Sequence, residues 1–153
     1  MIDVRQKGAE GEREVAKVLD RCVRRLMLDV GIPVPPGAIV QRNQNQSAVG
    51  GSDLSNTFGL CIEVKRQEQL AVNTWWEQAE AAAKQNGESP ILLYRQSGKK
   101  WKCLLMASLP LPFSEGATGS IMIGRVEITW DDFQVWFEEW VRRQLANGVR
   151  PRV

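Results

Sequence analysis

The chain has 153 residues, with 20 Lys and Arg against 18 Asp and Glu, a net charge of +2 and no histidine. The length suits one domain, and no apolar run approaches the ~18 residues that would span a bilayer. Without histidine there is no imidazole general base, no His-containing zinc site and no Ser-His or Cys-His nucleophile pair.

The first seven residues carry no apolar core, so no secretory leader is expected. From there the elements follow in order. Val15, Val18, Leu19, Cys22, Val23, Leu26 and Met27 recur at helical spacing and predict a first helix over residues 7–28. Gly31 and Pro33 end it, and Pro35-Pro36-Gly37 is a turn. Ala38-Ile39-Val40 predicts the start of a strand that runs into a polar stretch, residues 41–47. Gly50-Gly51 is a second turn. Residues 58–66 form the clearest strand, with Leu60, Ile62 and Val64 alternating with Cys61, Glu63 and Lys65. A second helix fits residues 73–85, started by Asn73 or by a Thr74–Glu77 capping box. Its Ala79, Ala82 and Ala83 suit close packing on a sheet. Residues 90–95 and 101–107 predict two strands joined by a turn at Ser97-Gly98, and residues 121–130 another. The last helix is expected from Asp131 or Asp132, with Phe133, Trp136, Phe137, Trp140, Val141 and Leu145 on one face. Residues 31–37 and 108–119 are expected to be irregular. Cys22, Cys61 and Cys103 are odd in number and far apart, which points away from a disulfide framework and towards a reducing cytoplasm. The pattern is one α/β or α+β domain with a mixed sheet.

The chemistry concentrates in three places. Glu63 and Lys65 project from one side of the strand, roughly 6.6 Å apart, as a site pair or as a surface salt bridge. Asp53 follows Gly50-Gly51-Ser52, where a hairpin-like return brings it beside Glu63; it also suits a simple turn. Two adjacent carboxylates call for a cation between them. On the first helix, Glu10 and Glu14 fall opposite the apolar stripe. Glu12 falls within about 40° of the stripe's centre, so it is paired or metal-bound, or it sits at the open edge of a frayed first turn. Three acids and a lysine at the mouth of a sheet are what metal-dependent phosphodiester hydrolysis needs.

At these residues the sequence resembles a known family. Lys7-Gly8-Ala9-Glu10-Gly11-Glu12-Arg13-Glu14, then Gly51-Ser52-Asp53, then Cys61-Ile62-Glu63-Val64-Lys65 is similar to the archaeal-type Holliday junction resolvases of the PD-(D/E)xK nuclease superfamily. The resemblance covers roughly residues 5–105. It implies an α/β, restriction-endonuclease-like fold, a mixed central sheet flanked by helices, with residues 106–153 adding a strand and a C-terminal helix. It implies Glu12, Asp53 and Glu63 as the acidic site residues and Lys65 as the catalytic lysine. Asp53, Glu63 and the Val64 carbonyl would be direct metal ligands, with Glu12 the further acid of the metal site. The family's assisting loop serine corresponds to Ser47 or Ser52. Arg42 corresponds to a phosphate-contacting arginine, and Gln78 to a glutamine that holds the site or the DNA in the wider superfamily. Arg5, Lys7 and Arg13 cluster where phosphates would approach.

The implied function is a Mg²⁺-dependent, structure-selective DNA endonuclease that resolves four-way (Holliday) junctions by paired phosphodiester hydrolysis, with Mn²⁺ able to substitute. Its implied partners are branched double-stranded DNA and a second copy of the chain, with no membrane. The rival readings are a nicking or repair nuclease of the same superfamily and a non-catalytic junction-binding module. Four further features have bland as well as DNA-binding readings. Lys17, Arg21, Arg24 and Arg25 line one helix face. Arg95, Lys99, Lys100 and Lys102 form a basic turn. Arg142, Arg143, Arg150 and Arg152 form a basic tail with no acid expected nearby. Adjacent Trp75 and Trp76 are not expected both to face inward, so one is a candidate for an interface or for DNA stacking.

Overall fold

The computed structural model describes residues 3–43, 52–111 and 120–152. The Asp3 carboxylate accepts from the Arg5 amide and caps α1, Val4–Asp29, three residues earlier than the apolar spacing places the start. The α1 stripe is buried as expected, with Val15, Leu19, Val23 and Leu26 almost fully enclosed. Each such side chain contributes roughly 1.5–3 kcal/mol when removed from water.

The chain reverses at Gly31, whose φ of 74° favours glycine. The expected strand at residues 38–40 does not form. The Asp20 carboxylate accepts from the Ile39 and Val40 amides (2.6 and 3.0 Å), so those donors are taken by α1 rather than by a neighbouring strand. Arg24 clamps the same segment through the Pro35 and Gly37 carbonyls, which makes it a structural residue rather than a DNA contact. Extended pairing begins only at β1, Gln41–Arg42, which runs antiparallel to β2, Leu54–Ser55. The expected Gly50-Gly51 turn between them lies outside the described residues.

The main sheet has the order β3-β4-β5-β6. Its strands are β3 Leu60–Arg66, β4 Ser89–Arg95, β5 Lys102–Pro110 and β6 Ile121–Thr129. β3 and β4 are parallel and are joined through α2, Val72–Asn86; the other pairs are antiparallel. A parallel pair requires such a crossover, whereas antiparallel neighbours close through short turns. β5 extends to Pro110, further than the expected end near residue 107.

Strand alternation assigns the layers. Leu60, Ile62 and Val64 pack with Val15 and Leu19 of α1 and with Phe133 and Phe137 of α3, Trp130–Ala146. Cys61 faces the other way, against Ala82 and Ala83 of α2. The mixed sheet therefore has α1 and α3 on one face and α2 on the other. No helix among the described residues is long and apolar enough to cross a membrane.

Three expectations change. α2 is capped by Ala71 with no side-chain cap, because the Asn73 side chain accepts from Arg125 of β6 instead. α3 starts at Trp130, capped by Thr129, whose hydroxyl accepts from the Asp132 amide. Trp75 and Trp76 are both buried, at 5% exposure each. Trp75 lies against Tyr94, with ring centroids 6.3 Å apart, while Arg125 reaches from β6 to lay its guanidinium over Trp76 at 5.8 Å. The long β5–β6 hairpin thus covers the ring that helical geometry alone would leave outside.

Gly11 sets how closely α1 approaches the sheet. A Cβ there would meet Arg66 Cβ and Trp101 Cη2, both at 3.2 Å, whereas one on Gly8 would meet nothing within 4 Å. Gly8→Ala is therefore expected to stabilise the protein by about 0.5–1 kcal/mol through helix propensity. Gly11→Ala is expected to lose that gain to overpacking that costs about 1–3 kcal/mol. Urea midpoints moving in opposite directions would confirm the close approach; equal upward shifts would refute it.

Candidate active site

The site is built on the outer edge of β3. Between β2 and β3 the chain turns through Asn56, Phe58 and Gly59, all at positive φ. Asn56 tolerates this conformation well, and its side-chain amide is fixed by the Ile39 and Arg152 backbone. Thr57 donates to the Leu60 carbonyl at 2.6 Å. The return lays residues 52–54 against β3. The Ser52 hydroxyl accepts from the Ile62 amide (3.0 Å), the Asp53 amide donates to the Ile62 carbonyl (2.9 Å), and Asp53 Oδ2 accepts from the Val64 amide (2.7 Å). Asp53 is thereby fixed beside Glu63, as the hairpin-like return predicts.

Asp53 is 6% exposed and the Glu63 side chain 12%. Burial, then the Asp53 charge, pushes the Glu63 carboxyl up to about 7, against the pull of Lys65, whose Nζ lies 3.4 Å from Glu63 Oε1. The Glu12 charge adds a smaller push in the same direction. Glu63 therefore responds to both other acids, which reach it from the residue just before β2 and from α1.

The helix-face expectation holds for exposure. The Glu12 side chain is 13% exposed, against 38% for Glu10 and 44% for Glu14. Glu12 Oε2 is paired with Arg42 Nε. Glu10 and Glu14 are tied elsewhere, to Arg66 and Arg95, and Glu14 also accepts from Trp101 Nε1. Among the described residues no three acidic or thiol side chains draw together as a metal cage by themselves. The adjacent pair is Asp53 and Glu63. The Val64 carbonyl belongs to the same strand edge as the Val64 amide that Asp53 holds. This donor set is all oxygen, buried and mutually repulsive, which fits a hard divalent cation.

Other expected residues are placed less centrally. Ser47 lies outside the described residues. The Ser52 hydroxyl serves the Ile62 backbone and so fixes the edge that carries Asp53. Gln78 is exposed on α2. Arg5 and Arg13 are exposed near the start of α1, and Lys7 pairs with Glu68 at 3.3 Å.

Several basic residues have structural partners instead. Arg25 pairs with Glu138, and Arg95 pairs with Glu14. Contrary to expectation the C-terminal arginines do have acids nearby: Arg142 and Arg143 pair with Glu138 and Glu139 one helical turn back. Arg150 donates to the Leu145 carbonyl near the end of α3. Sequence reasoning missed Asp20, Asn43 and Asn56. Asn43 extends the β1–β2 pairing through the Asp53 carbonyl (2.8 Å) and also donates from its side chain to Ser52. Their partners are distant in the chain, so no spacing signal marks them.

A mixed sheet flanked by helices, with a C-terminal helix, is consistent with the restriction-endonuclease-like fold of the PD-(D/E)xK nucleases, which typically depend on a divalent metal. The chain belongs to the family described as "Phage putative PDDEXK endonuclease", whose profile matches residues 3–143. That match includes β6 and most of α3, beyond the span of the resolvase resemblance. No curated protein and no solved structure matches the chain.

Proposed function

We propose that the protein hydrolyses phosphodiester bonds in branched DNA, resolving four-way junctions as a homodimer with Mg²⁺, for which Mn²⁺ can substitute. The observation that carries the chemistry is the pair formed by Asp53, fixed by the Val64 amide, and Glu63, pushed up to about 7 beside it. Asp53, Glu63 and the Val64 carbonyl would hold the ion, with Glu12 as the third acid. A bound divalent ion supplies Lewis acidity towards the phosphate and lowers the pKa of water. Lys65 Nζ, already beside Glu63, orients the attacking water and offsets charge on the phosphorane-like transition state. Arg42, positioned by Glu12, meets the phosphate, while Arg5, Lys7 and Arg13 at the start of α1 attract the duplex. Gln78 and Ser47 stand as further candidates for holding DNA and assisting cleavage.

The junction preference rests on the resemblance of the Lys7–Glu14, Asp53 and Glu63–Lys65 segments to junction resolvases. A four-way junction is close to two-fold symmetric, and paired cuts need two sites held in a fixed dimer. The Phe133–Leu145 stripe and Trp75-Trp76 are covered within one chain. Among the described residues, the large apolar side chains left most open are Ile121 and Ile123 of β6 and Val135 of α3, at 71%, 70% and 71% exposure. The same exposed edge strand supports the dimer reading, since apolar edge surface is costly to leave in water.

A second reading, a nicking or repair nuclease without junction selectivity, is favoured by a family description that names an endonuclease and no branched substrate. One assay separates them. Purified protein on labelled four-way junction, flap and linear duplex, with and without Mg²⁺, is expected to cut the junction in symmetric pairs and only with metal. Equal cutting of linear duplex would establish the second reading. Metal-independent binding with no cutting would leave a junction-binding module. Light scattering is expected to give a dimer for the wild type and for Trp140→Ala, whose indole donates to the Phe58 carbonyl of its own chain; a monomeric wild type would refute the dimer.

A further inference from the structure

The basic turn between β4 and β5 is not used by the site on β3. It borders a cavity of about 550 Å³ at the end of the sheet, lined by Tyr94, Trp130 and Ile128 and by Lys99, Lys100 and Lys102. Arg95 also borders it but is committed, since its guanidinium lies 5.1 Å from the Trp101 ring and pairs with Glu14. The three lysines are exposed. Lys99 and Lys100 have no ion-pair partner among the described residues, and Lys102 reaches Glu127 only at 3.9 Å. Glu127 and Asp131 also line the cavity. The Glu127 carboxylate accepts from the Tyr94 hydroxyl at 2.7 Å, which ties it to β4.

Strand register ties this cavity to the site. Lys65 is opposite Tyr94, Tyr94 is opposite Lys102, and Lys102 is opposite Thr129. These side chains belong to the face that carries Glu63, because paired residues in a sheet point the same way. From Lys65 to Lys102 is two inter-strand steps, about 10 Å, the rise of about three stacked nucleotides. Trp75 covers the Tyr94 ring, so the open positions are Lys65 at one end and Lys102 at the other.

An apolar and aromatic lining beside Lys99 and Lys100, with Lys102 only loosely paired, has the chemistry of a single-strand site, where bases leave water against rings and phosphates meet lysines. We infer that this cavity binds an unpaired stretch of DNA strand adjoining the scissile phosphate. The inference deepens the nuclease reading and rests on it for the identity of the polymer. It adds a contact to any strand left unpaired beside the cut, over and above the duplex contacts of the nuclease reading.

The test measures binding, in EDTA, so that it does not depend on cleavage. The probes are a fluorescein-labelled blunt duplex and the same duplex with an unpaired oligothymidine tail, read by anisotropy. The wild type is expected to hold the tailed duplex roughly tenfold more tightly. The combined Lys99→Ala, Lys100→Ala and Lys102→Ala variant, which changes only exposed side chains, is expected to lose that preference and to keep blunt-duplex affinity within about twofold. Trp130→Phe is expected to keep the preference and Trp130→Ala to weaken it. No tail preference in the wild type, or an equal loss on both probes, would overturn the inference. A protein that keeps the tail preference yet cuts nothing with Mg²⁺ would overturn the nuclease reading and leave the single-strand site standing.

Discussion

Glu63→Ala is expected to lower metal-dependent cleavage by about 10³-fold while leaving DNA binding intact. Asp53→Ala and Lys65→Ala should fall in the same range, and Lys65→Arg should not restore activity, because a planar guanidinium does not replace a compact ammonium beside Glu63. Folding should survive the Glu63 substitution. The carboxyl is buried beside Asp53 and pushed up to about 7, so burial and the Asp53 charge outweigh its pair with Lys65 and its removal costs the fold little. Glu12→Ala is expected to cost activity, by loss of the third acid and by releasing Arg42. Glu10→Ala and Glu14→Ala should leave cleavage nearly unchanged, with Glu14→Ala losing a little stability through Arg95 and Trp101. Single-turnover cleavage and a filter-binding assay on each variant decide the matter. An essential Glu14 beside a dispensable Glu12 would mean that α1 presents the wrong face to the site.

The largest effect on stability is expected from Phe133→Ala. Phe133 is fully buried and packs its ring against Trp130 and Trp136 at 6.0 Å and Phe137 at 5.9 Å. It joins α3 to the core shared by α1 and the sheet. Truncating a buried Phe costs about 3–5 kcal/mol through lost burial and the cavity left behind. For a chain of this size that lowers Tm by roughly 6–20 °C. Calorimetry and urea unfolding measure it directly. A variant with an unmoved midpoint and a halved mass in light scattering would instead make the stripe a subunit contact.

The sequence by itself determined the elements whose signal is local. The α1 stripe, the alternating β3 strand, the alanine face of α2 and the aromatic face of α3 each repeat at the period of their own structure, and burial follows that period. The acidic positions were legible for the same reason: alternation puts Glu63 and Lys65 on one side of β3, and helical spacing puts Glu12 nearer the core than Glu10 or Glu14. What no period encodes is which distant group takes a given hydrogen bond. Asp20 takes the amides of Ile39 and Val40 and cancels a strand that their apolar character suggests. Arg125 draws Asn73 away from capping α2 and shelters Trp76, so both tryptophans are buried where helix geometry allows one. Ser52 and the Val64 amide fix Asp53 against β3 across a turn that needs three positive φ angles. Local periodicity follows from the geometry of a single element. Side-chain-to-backbone bonds between elements exist only once the chain has closed on itself, and here they decide where β1 begins and where Asp53 stands.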